Sequence, residues 1–294
     1  MLRRLILGTL AALALSACQD RSEERVAEGE DAPALWRIVD EQSDATEGWL
    51  FGTIHALPGD IAWRSAPLDE ALGRADLLVV EVANLDDGAA MSRLFEDMAF
   101  DTPSPPLAER VSPRNREAFA ALLTKARVRS DYFDPMESWA AALALSNIAQ
   151  TDDAENGVDR ALIADFGSRE VVELEGAQRQ LEIFDRLPEA EQRDLLDGVL
   201  EETGDPAEMG KLARAWARGD AAALTALTQR GILADPELRE ALLTDRNRAW
   251  TAQLVNLLST DRLPFVAVGA GHLLGEDGLP ALLARSGYRV ERVQ

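Results

Sequence analysis

The stretch Leu77-Leu78-Val79-Val80-Glu81-Val82 decides the fold. It holds five apolar residues and one carboxylate, and a nearly continuous apolar run of this length is typical of a strand buried on both faces, as in the parallel sheets of α/β proteins. Glu81 is the anomaly in it. Burying this carboxylate without a charged or metal partner would cost several kcal/mol, so the sequence predicts such a partner.

Other parts of the chain complete the prediction of an α/β fold. Further strand-like runs occupy residues 34–39, 49–54, 170–174, 265–268 and 288–291, and the first two flank a polar turn, which favours a hairpin. Long Ala- and Leu-rich stretches with helical spacing lie between these runs. The clearest predicted helix spans 236–258, with Asp235 as its N-cap. We therefore expect a mixed sheet built from both halves of the chain, with a largely helical insertion between them.

The amino terminus has the layout of a lipoprotein signal peptide. Arg3 and Arg4 precede an apolar run over 5–15, which is too short for a transmembrane helix of about 20 residues. The ending Leu15-Ser16-Ala17-Cys18 resembles a lipobox, which predicts cleavage before a lipid-modified Cys18. Cys18 is the single cysteine, and a buried or reactive free thiol is the alternative interpretation. We predict a signal peptide over 1–17, an acidic flexible tether over 18–33 and a folded domain over 34–294.

The charge of the chain argues against nucleic acid and anionic lipid as binding partners. Asp and Glu number 52 against 30 Lys and Arg, which gives a formal charge of −22. Binding to a nucleic acid backbone requires clustered Lys and Arg, and no basic cluster is evident along the sequence. Anionic lipid should be repelled as well, so we expect attachment to the membrane through the lipid anchor alone.

Two local repeats suggest the site. Gly52-Thr53-Ile54-His55 and Gly269-Ala270-Gly271-His272 both follow an apolar strand, and they contain the only two histidines. Glycine allows a sharp turn at a strand end, which would place each imidazole at the carboxyl edge of the sheet, where α/β sites lie. With Glu81 they form a donor set suited to Mn, Co or Zn. Alternatively, each His is structural, Glu81 pairs with an Arg, or one His is a general base without a metal.

These motifs resemble those of the TraB/GumN family, a TIKI-like group, over residues 34–294. The likeness also rests on a set of smaller motifs that recur in the family's order: the strand 78–81, Gly157-Val158-Asp159, Leu174-Glu175-Gly176 with Gln178 and Gln180, the helix segment 245–250 and the ending 265–293. The resemblance implies a site with His55, Glu81 and His272 at its core, supported by Arg246, Asn247 and, less directly, Asp159.

The same resemblance implies a function. Relatives of TIKI are regarded as metal-dependent proteases, so we expect a metal-dependent hydrolase of a peptide or ester bond. Its substrate would be a peptide, protein or ester of the cell envelope, on the periplasmic side. The wider group is also similar to erythromycin esterases and to the haem-binding lipoprotein ChaN, and the alternative is therefore a non-catalytic haem- or metal-binding lipoprotein. A third alternative is an envelope scaffold with a degenerate site.

Some supporting side chains have two interpretations. Arg246 would face the substrate or an oxyanion, or it would cover the indole of Trp250, four residues further along the same helix. Glu173 and Glu175 are expected to be solvated or structural, and the alternative is that they line the cleft.

Overall fold

The structure is a computed structural model that describes residues 32–59, 61–84, 87–100, 104–149, 156–202 and 206–294. The predicted signal peptide, Cys18 and the tether up to residue 31 lie outside these residues. In the part of the chain that is described, no helix combines the length and the apolar character needed to cross a membrane.

Strands from both ends of the chain form one mixed sheet of six strands: β1 (Leu35–Asp40), β2 (Thr46–Thr53), β3 (Leu77–Val80), β4 (Glu170–Glu173), β5 (Pro264–Gly269) and β6 (Tyr288–Arg292). Their order across the sheet is β4-β3-β5-β2-β1-β6. The first four in this order are parallel, while β1 pairs antiparallel with both β2 and β6. The predicted hairpin and the predicted sheet built from both chain halves are confirmed.

Helices connect these strands. They are α1 (Ala66–Arg74), α2 (Gly88–Met98), α3 (Leu107–Arg110), α4 (Arg116–Ala126), α5 (Ser138–Ala149), α6 (Val158–Phe166), α7 (Ala177–Asp185), α8 (Glu189–Glu202), α9 (Pro206–Ala217), α10 (Ala221–Thr228), α11 (Pro236–Arg239), α12 (Asp245–Leu258) and α13 (Leu279–Arg285). Those from α2 to α12 lie between β3 and β5 and form the predicted helical insertion. The single helix predicted over 236–258 is interrupted, because Glu240–Thr244 form a π-helical segment between α11 and α12.

Alternate side chains of the strands pack into separate cores on the two faces of the sheet. Phe51, Leu78 and Phe265 belong to one core, which includes Trp216 of α9. Leu50, Val79 and Val266 belong to the opposite core, together with residues of α12 and α13. All four residues of β3 are buried, as the sequence predicted. A further apolar cluster, centred on helices α5 and α8, gives the insertion a core of its own.

The register of the parallel strands sets the position of the site. Thr53 of β2 pairs with Gly269 of β5, and Val80 of β3 pairs with Ala267 of β5. These strands therefore end at the same edge of the sheet. The residues that follow them, including Glu81, are brought together there.

Candidate functional site

The carboxylate of Glu81 is held by an arginine at this edge. Glu81 is 7% exposed. Its Oε2 accepts hydrogen bonds from Nη2 of Arg246 at 2.5 Å and from Nε2 of Gln180 at 3.1 Å, and its Oε1 accepts one from the backbone N–H of Gly269 at 2.8 Å. The predicted partner of this buried charge is thus a guanidinium, which is the Arg pairing considered as an alternative.

These contacts keep Glu81 ionised. Burial disfavours its charged form, yet the neighbouring His272 and Arg246 outweigh burial and lower the pKa of the carboxyl to about 2. His272 is neutral, as described below. The positive charge of the Arg246 guanidinium is therefore the one to which we attribute the low pKa of Glu81.

Arg246 donates all of its N–H groups to the protein. Nε bonds both oxygens of Glu175 at 3.0 and 3.2 Å, and Nη2 also reaches this carboxylate at 3.0 Å. Nη1 donates to the carbonyl of Leu242 at 3.0 Å and to Nε2 of His272 at 3.1 Å. The guanidinium lies 4.6 Å from the ring centroid of Trp250, so Arg246 does cover this indole. With 11% of the side chain exposed, Arg246 organises the buried network, and a contact with substrate stays a prediction.

Glu175 is structural, one of the three alternatives that the sequence left open. Its side chain is 4% exposed, and Oε1 also accepts a hydrogen bond from the indole N–H of Trp250 at 3.0 Å. Glu173 is exposed and accepts a hydrogen bond from the backbone of Ala83 at 2.6 Å. One guanidinium therefore neutralises one of two adjacent buried carboxylates, Glu81 and Glu175, and leaves the network with a net negative charge.

The π-helical segment precedes the residues of α12 that build the network. Its wider turn ends at Thr244, directly before Asp245 and Arg246. Such segments frequently occur at functional sites, because the extra residue changes the direction of the side chains that follow. Arg246 closes the segment by donating to the carbonyl of Leu242 within it.

His272 is buried in one defined tautomer. Its Nδ1 lies 2.6 Å from Oδ1 of Asn247, whose Nδ2 donates to the carbonyl of Asp277 at 2.8 Å. This second bond orients the amide, so Nδ1 of His272 carries the proton and Nε2 accepts from Arg246. Burial lowers the pKa of His272 to about 3, and the charge of Arg246 acts in the same direction against that of Glu81. His272 is therefore neutral at physiological pH.

His55 belongs to a neighbouring, more open arrangement. Its Nδ1 lies 2.9 Å from Oδ2 of Asp159, and Oδ1 of Asp159 accepts a hydrogen bond from the hydroxyl of Thr53 at 2.6 Å. Asp159 is buried in the first turn of α6, whose start is tied to the β2 end by a bond from Val158 N to Ile54 O at 3.1 Å. Among the described residues the structure gives Nε2 of His55 no hydrogen-bond partner.

The pairing with Asp159 makes His55 more basic. The hydrogen bond to Asp159 raises the pKa of His55 to about 9, and the charges of Asp159 and Glu81 act in the same direction. Because 71% of the side chain is exposed, water screens this pair, and the directed hydrogen bond sets the direction of the shift. Thr53, which precedes His55 by two residues, pairs with Gly269, and Gly269 donates to Glu81, so the two arrangements lie next to each other at the sheet edge.

Close packing explains why each repeat contains a glycine. A Cβ on Gly52 would lie 3.0 Å from the Cα of Ala270, and a Cβ on Gly269 would lie 3.3 Å from Oε1 of Glu81. Neither glycine has a positive φ, so the sharp turn that we expected is not the reason for them. Gly52 lets the turn after β5 pack closely, and Gly269 lets the carboxylate reach its backbone N–H.

The structure thus brings Glu81, His272, Arg246 and Asn247 into one buried network and places His55 beside it. Thr53 and Gln180 are contacts to which the sequence assigned no role, although Gln180 belongs to one of the quoted motifs and Thr53 stands two residues before His55. Across the described residues, no three His, Cys, Asp or Glu side chains are grouped as metal ligands.

The contacts of His55, Glu81 and His272 do not fit a metal bound by all three. Nε2 of His272 accepts from Arg246, and both oxygens of Glu81 accept hydrogen bonds, so these donor atoms are occupied. Binding of Mn, Co or Zn by this set remains a prediction that requires Arg246 to withdraw.

Comparison with known proteins assigns the family. A model of the TraB/PrgY/gumN family matches residues 34–292. The chain belongs to the TraB/PrgY/gumN family. The family and its extent agree with the motifs in the sequence. The chain is 28% identical over 244 residues to the uncharacterized protein YbaP of Escherichia coli strain K12, and the alignment covers 80% of this chain and 86% of YbaP. YbaP of Shigella flexneri gives the same values. No solved structure matches this member of the TraB/PrgY/gumN family.

Proposed function

We propose that this protein is a hydrolase of the cell envelope that cleaves a peptide or ester bond with His55 as its general base. The observation that carries this is the pairing of His55 with the buried Asp159, which leaves Nε2 directed away from the carboxylate in a side chain that is 71% exposed. An imidazole oriented by a carboxylate through Nδ1 and open at Nε2 is a common arrangement for proton transfer.

The proton transfers follow from this geometry. Nε2 takes a proton from a water molecule as its oxygen attacks the carbonyl carbon of the substrate. The same nitrogen then donates that proton to the leaving nitrogen or oxygen as the bond to carbon breaks. Asp159 stabilises the imidazolium formed between the two steps, and the negative charge of Glu81 favours it as well.

The buried network is assigned a positioning role. Arg246 fastens Glu81, Glu175 and His272 to one another, and Gly269 joins Glu81 to the end of β5. This holds the ends of β3 and β5 and the start of α12 in a fixed relation beside His55. None of these groups needs to contact the substrate to influence the rate.

The predicted localisation belongs to the same proposal. A lipid on Cys18 would retain the domain at the envelope, facing the periplasm, where peptides, proteins and esters of the envelope are its substrates. The predicted divalent metal takes part in no step here, because Arg246 occupies two of the predicted donor atoms, Nε2 of His272 and Oε2 of Glu81.

Hydrolysis by the purified protein tests this function. Chromogenic acyl esters and a fluorogenic peptide library would be assayed at pH 9 with a chelator and, separately, with Mn²⁺. We expect hydrolysis with the chelator present, and His55→Ala should reduce it by about 100-fold, which is a usual contribution of a general base. Arg116→Gln, at an exposed position of α4, is the control. Hydrolysis that appears only with Mn²⁺, or that survives His55→Ala, would contradict the assignment of His55.

A further inference from the structure

A positively charged groove lies between α9 and α10, apart from the site described above. Lys211, Arg214, Arg218 and Arg230 surround it, and it has a volume of about 280 Å³. Its remaining lining is apolar and consists of Ala215, Ala223, Ala226 and Leu227. The absence of a basic cluster expected from the sequence is therefore incorrect.

Helix geometry and packing create this cluster. Positions 211, 214 and 218 are separated by three and four residues, so they lie on one face at and just beyond α9. Arg230 lies two residues beyond the end of α10. A count of charges along the whole chain, which is −22, does not reveal it.

The guanidinium groups of the groove are available. Arg214, Arg218 and Arg230 are exposed, and none of them forms an ion pair with a residue of the described ranges. The neighbouring carboxylate of Asp220 caps α10 by accepting a hydrogen bond from Ala223 N at 2.9 Å. Three uncompensated Arg side chains around an apolar floor match a ligand that has an anionic head and an aliphatic part.

The position of the groove indicates which ligand of this kind it meets. The described chain begins at Ala32, whose carbonyl oxygen would lie 2.6 Å from a Cβ built on Gly219, the residue after Arg218. Arg292 and Gln294 hold this junction by bonds to Gly219 O and Pro33 O at 2.8 and 2.7 Å. The segment that links the domain to a lipid-modified Cys18, as proposed above, would therefore join the domain next to the groove.

We propose that this groove binds the head group of an anionic phospholipid at the membrane surface. The phosphodiester accepts hydrogen bonds from the guanidinium groups, and the first methylene groups of the lipid lie over Ala223 and Leu227. Such binding would orient the domain on the bilayer. It places a basic contact with lipid on a protein whose overall charge is repelled by anionic membranes.

Arginine footprinting of the whole protein tests this. The protein would be reconstituted in vesicles of phosphatidylcholine, with or without phosphatidylglycerol, treated with phenylglyoxal and analysed by mass spectrometry. We expect phosphatidylglycerol to slow the modification of Arg214 and Arg218 by about tenfold at low salt, and by less at higher salt, where exposed charges are screened. Arg93 and Arg116, which are exposed on α2 and α4, are the internal controls and should not change.

A double variant makes the test specific. In Arg214→Gln/Arg218→Gln, phosphatidylglycerol should no longer protect Arg230, whereas Arg93→Gln/Arg116→Gln, with the same change of charge, should leave this protection intact. Circular dichroism would verify that both variants are folded. Because all four positions are exposed, we expect both to melt as the wild type does.

Several outcomes would overturn this inference. Protection that is equal in both kinds of vesicle would assign the groove to the chain's own acidic segment 19–31 or to another protein. Equal protection by inorganic phosphate would reduce it to a simple anion site, and equal protection of Arg93 would make it unspecific. Failure of the protein to sediment with pure phosphatidylcholine vesicles would instead count against the anchor at Cys18, while protection by phosphatidylglycerol could still be measured.

Discussion

Oδ1 of Asn247 accepts a hydrogen bond from Nδ1 of His272 at 2.6 Å, and this contact fixes which nitrogen of the buried imidazole carries its proton. The free nitrogen, Nε2, then accepts from Arg246 at 3.1 Å. A single amide of α12 thereby determines that the guanidinium can approach His272, because an imidazole protonated at Nε2 would repel it.

Asn247→Leu should therefore destabilise the protein. It leaves the buried Nδ1 of His272 without a partner, which costs about 1–3 kcal/mol of unfolding free energy, and it removes the bond to the carbonyl of the exposed Asp277. Denaturant unfolding measures this change. Asn256→Leu, at an exposed position of the same helix, is the matched control and should change stability by less than about 0.5 kcal/mol. Equal stability of the two variants would show that the amide does not orient His272.

Stability should fall in mild acid because of His272. Its pKa is lowered from 6.5 to about 3 in the folded protein, so folding favours the neutral form. The free energy of unfolding is not reduced by His272 above pH 6.5. As the pH falls from 6.5 toward 3, it decreases by up to about 1.4 kcal/mol per pH unit, because the unfolded chain binds one more proton. Denaturant unfolding between pH 7 and 5 would show this slope, and His272→Gln should flatten it. An unchanged slope in the variant would assign it to other groups.

Glu81→Gln should lower the stability of the protein and have only a small effect on the rate of hydrolysis. Arg246 loses one of its two carboxylate partners while staying buried, so we expect a loss of about 1–3 kcal/mol of unfolding free energy. Glu173→Gln, at an exposed carboxylate of the neighbouring strand β4, is the comparison and should cost less. Hydrolysis per folded molecule should fall by less than about tenfold, or 1.4 kcal/mol. A loss of about 100-fold with unaltered stability would place Glu81 among the reacting groups.

The pH dependence of hydrolysis should follow His55. A general base works in its deprotonated form, so kcat/KM should increase with pH up to the pKa of about 9 that Asp159 imposes. In Asp159→Asn the pKa returns toward 6.5, and the rising limb of the profile should move to lower pH while the maximal rate decreases. Asp165→Asn, on the same helix but paired with Arg64, is the control. If the rising limb of the Asp159→Asn profile stays at the same pH, Asp159 does not set the pKa of the general base.

Removal of Arg246 should open the predicted metal site. Arg246→Ala frees Nε2 of His272 and an oxygen of Glu81, so we expect Mn²⁺, Co²⁺ or Zn²⁺ to bind at least about tenfold more tightly than to the wild type. Calorimetric titration would measure this, with thermal melts to show that the variant is folded. Combining His272→Ala with Arg246→Ala should abolish this increase in metal affinity. Tight stoichiometric binding by the wild type would show that the guanidinium withdraws on its own.

Local pattern was sufficient for most of the fold. The buried run at Leu77–Val80 and the strands on either side of the insertion were predicted because strand burial and periodicity are properties of neighbouring residues. The sequence placed His55, Glu81 and His272 at one sheet edge for the same reason. It could not choose Arg246 as the partner of Glu81, because that choice depends on how α12 docks and on the π-helical segment before it.

Two other features escaped the sequence for different physical reasons. The need for Gly52 and Gly269 comes from close packing between separate strands, which their own backbone conformations do not reveal. The basic groove was missed because the charges were counted over the whole chain. The helical spacing of Lys211, Arg214 and Arg218 was present in the sequence and would have indicated it.

The central position of β5 has a consequence for how the protein is made. This strand lies between β2 and β3, yet it follows both of them along the chain, after the whole helical insertion. Until residues 264–269 are available, β2 and β3 have unpaired edges, and the turn that holds His272 does not exist. A partly synthesised chain that contains β2 and β3 but not β5 would therefore lack both the centre of its sheet and the turn that carries His272.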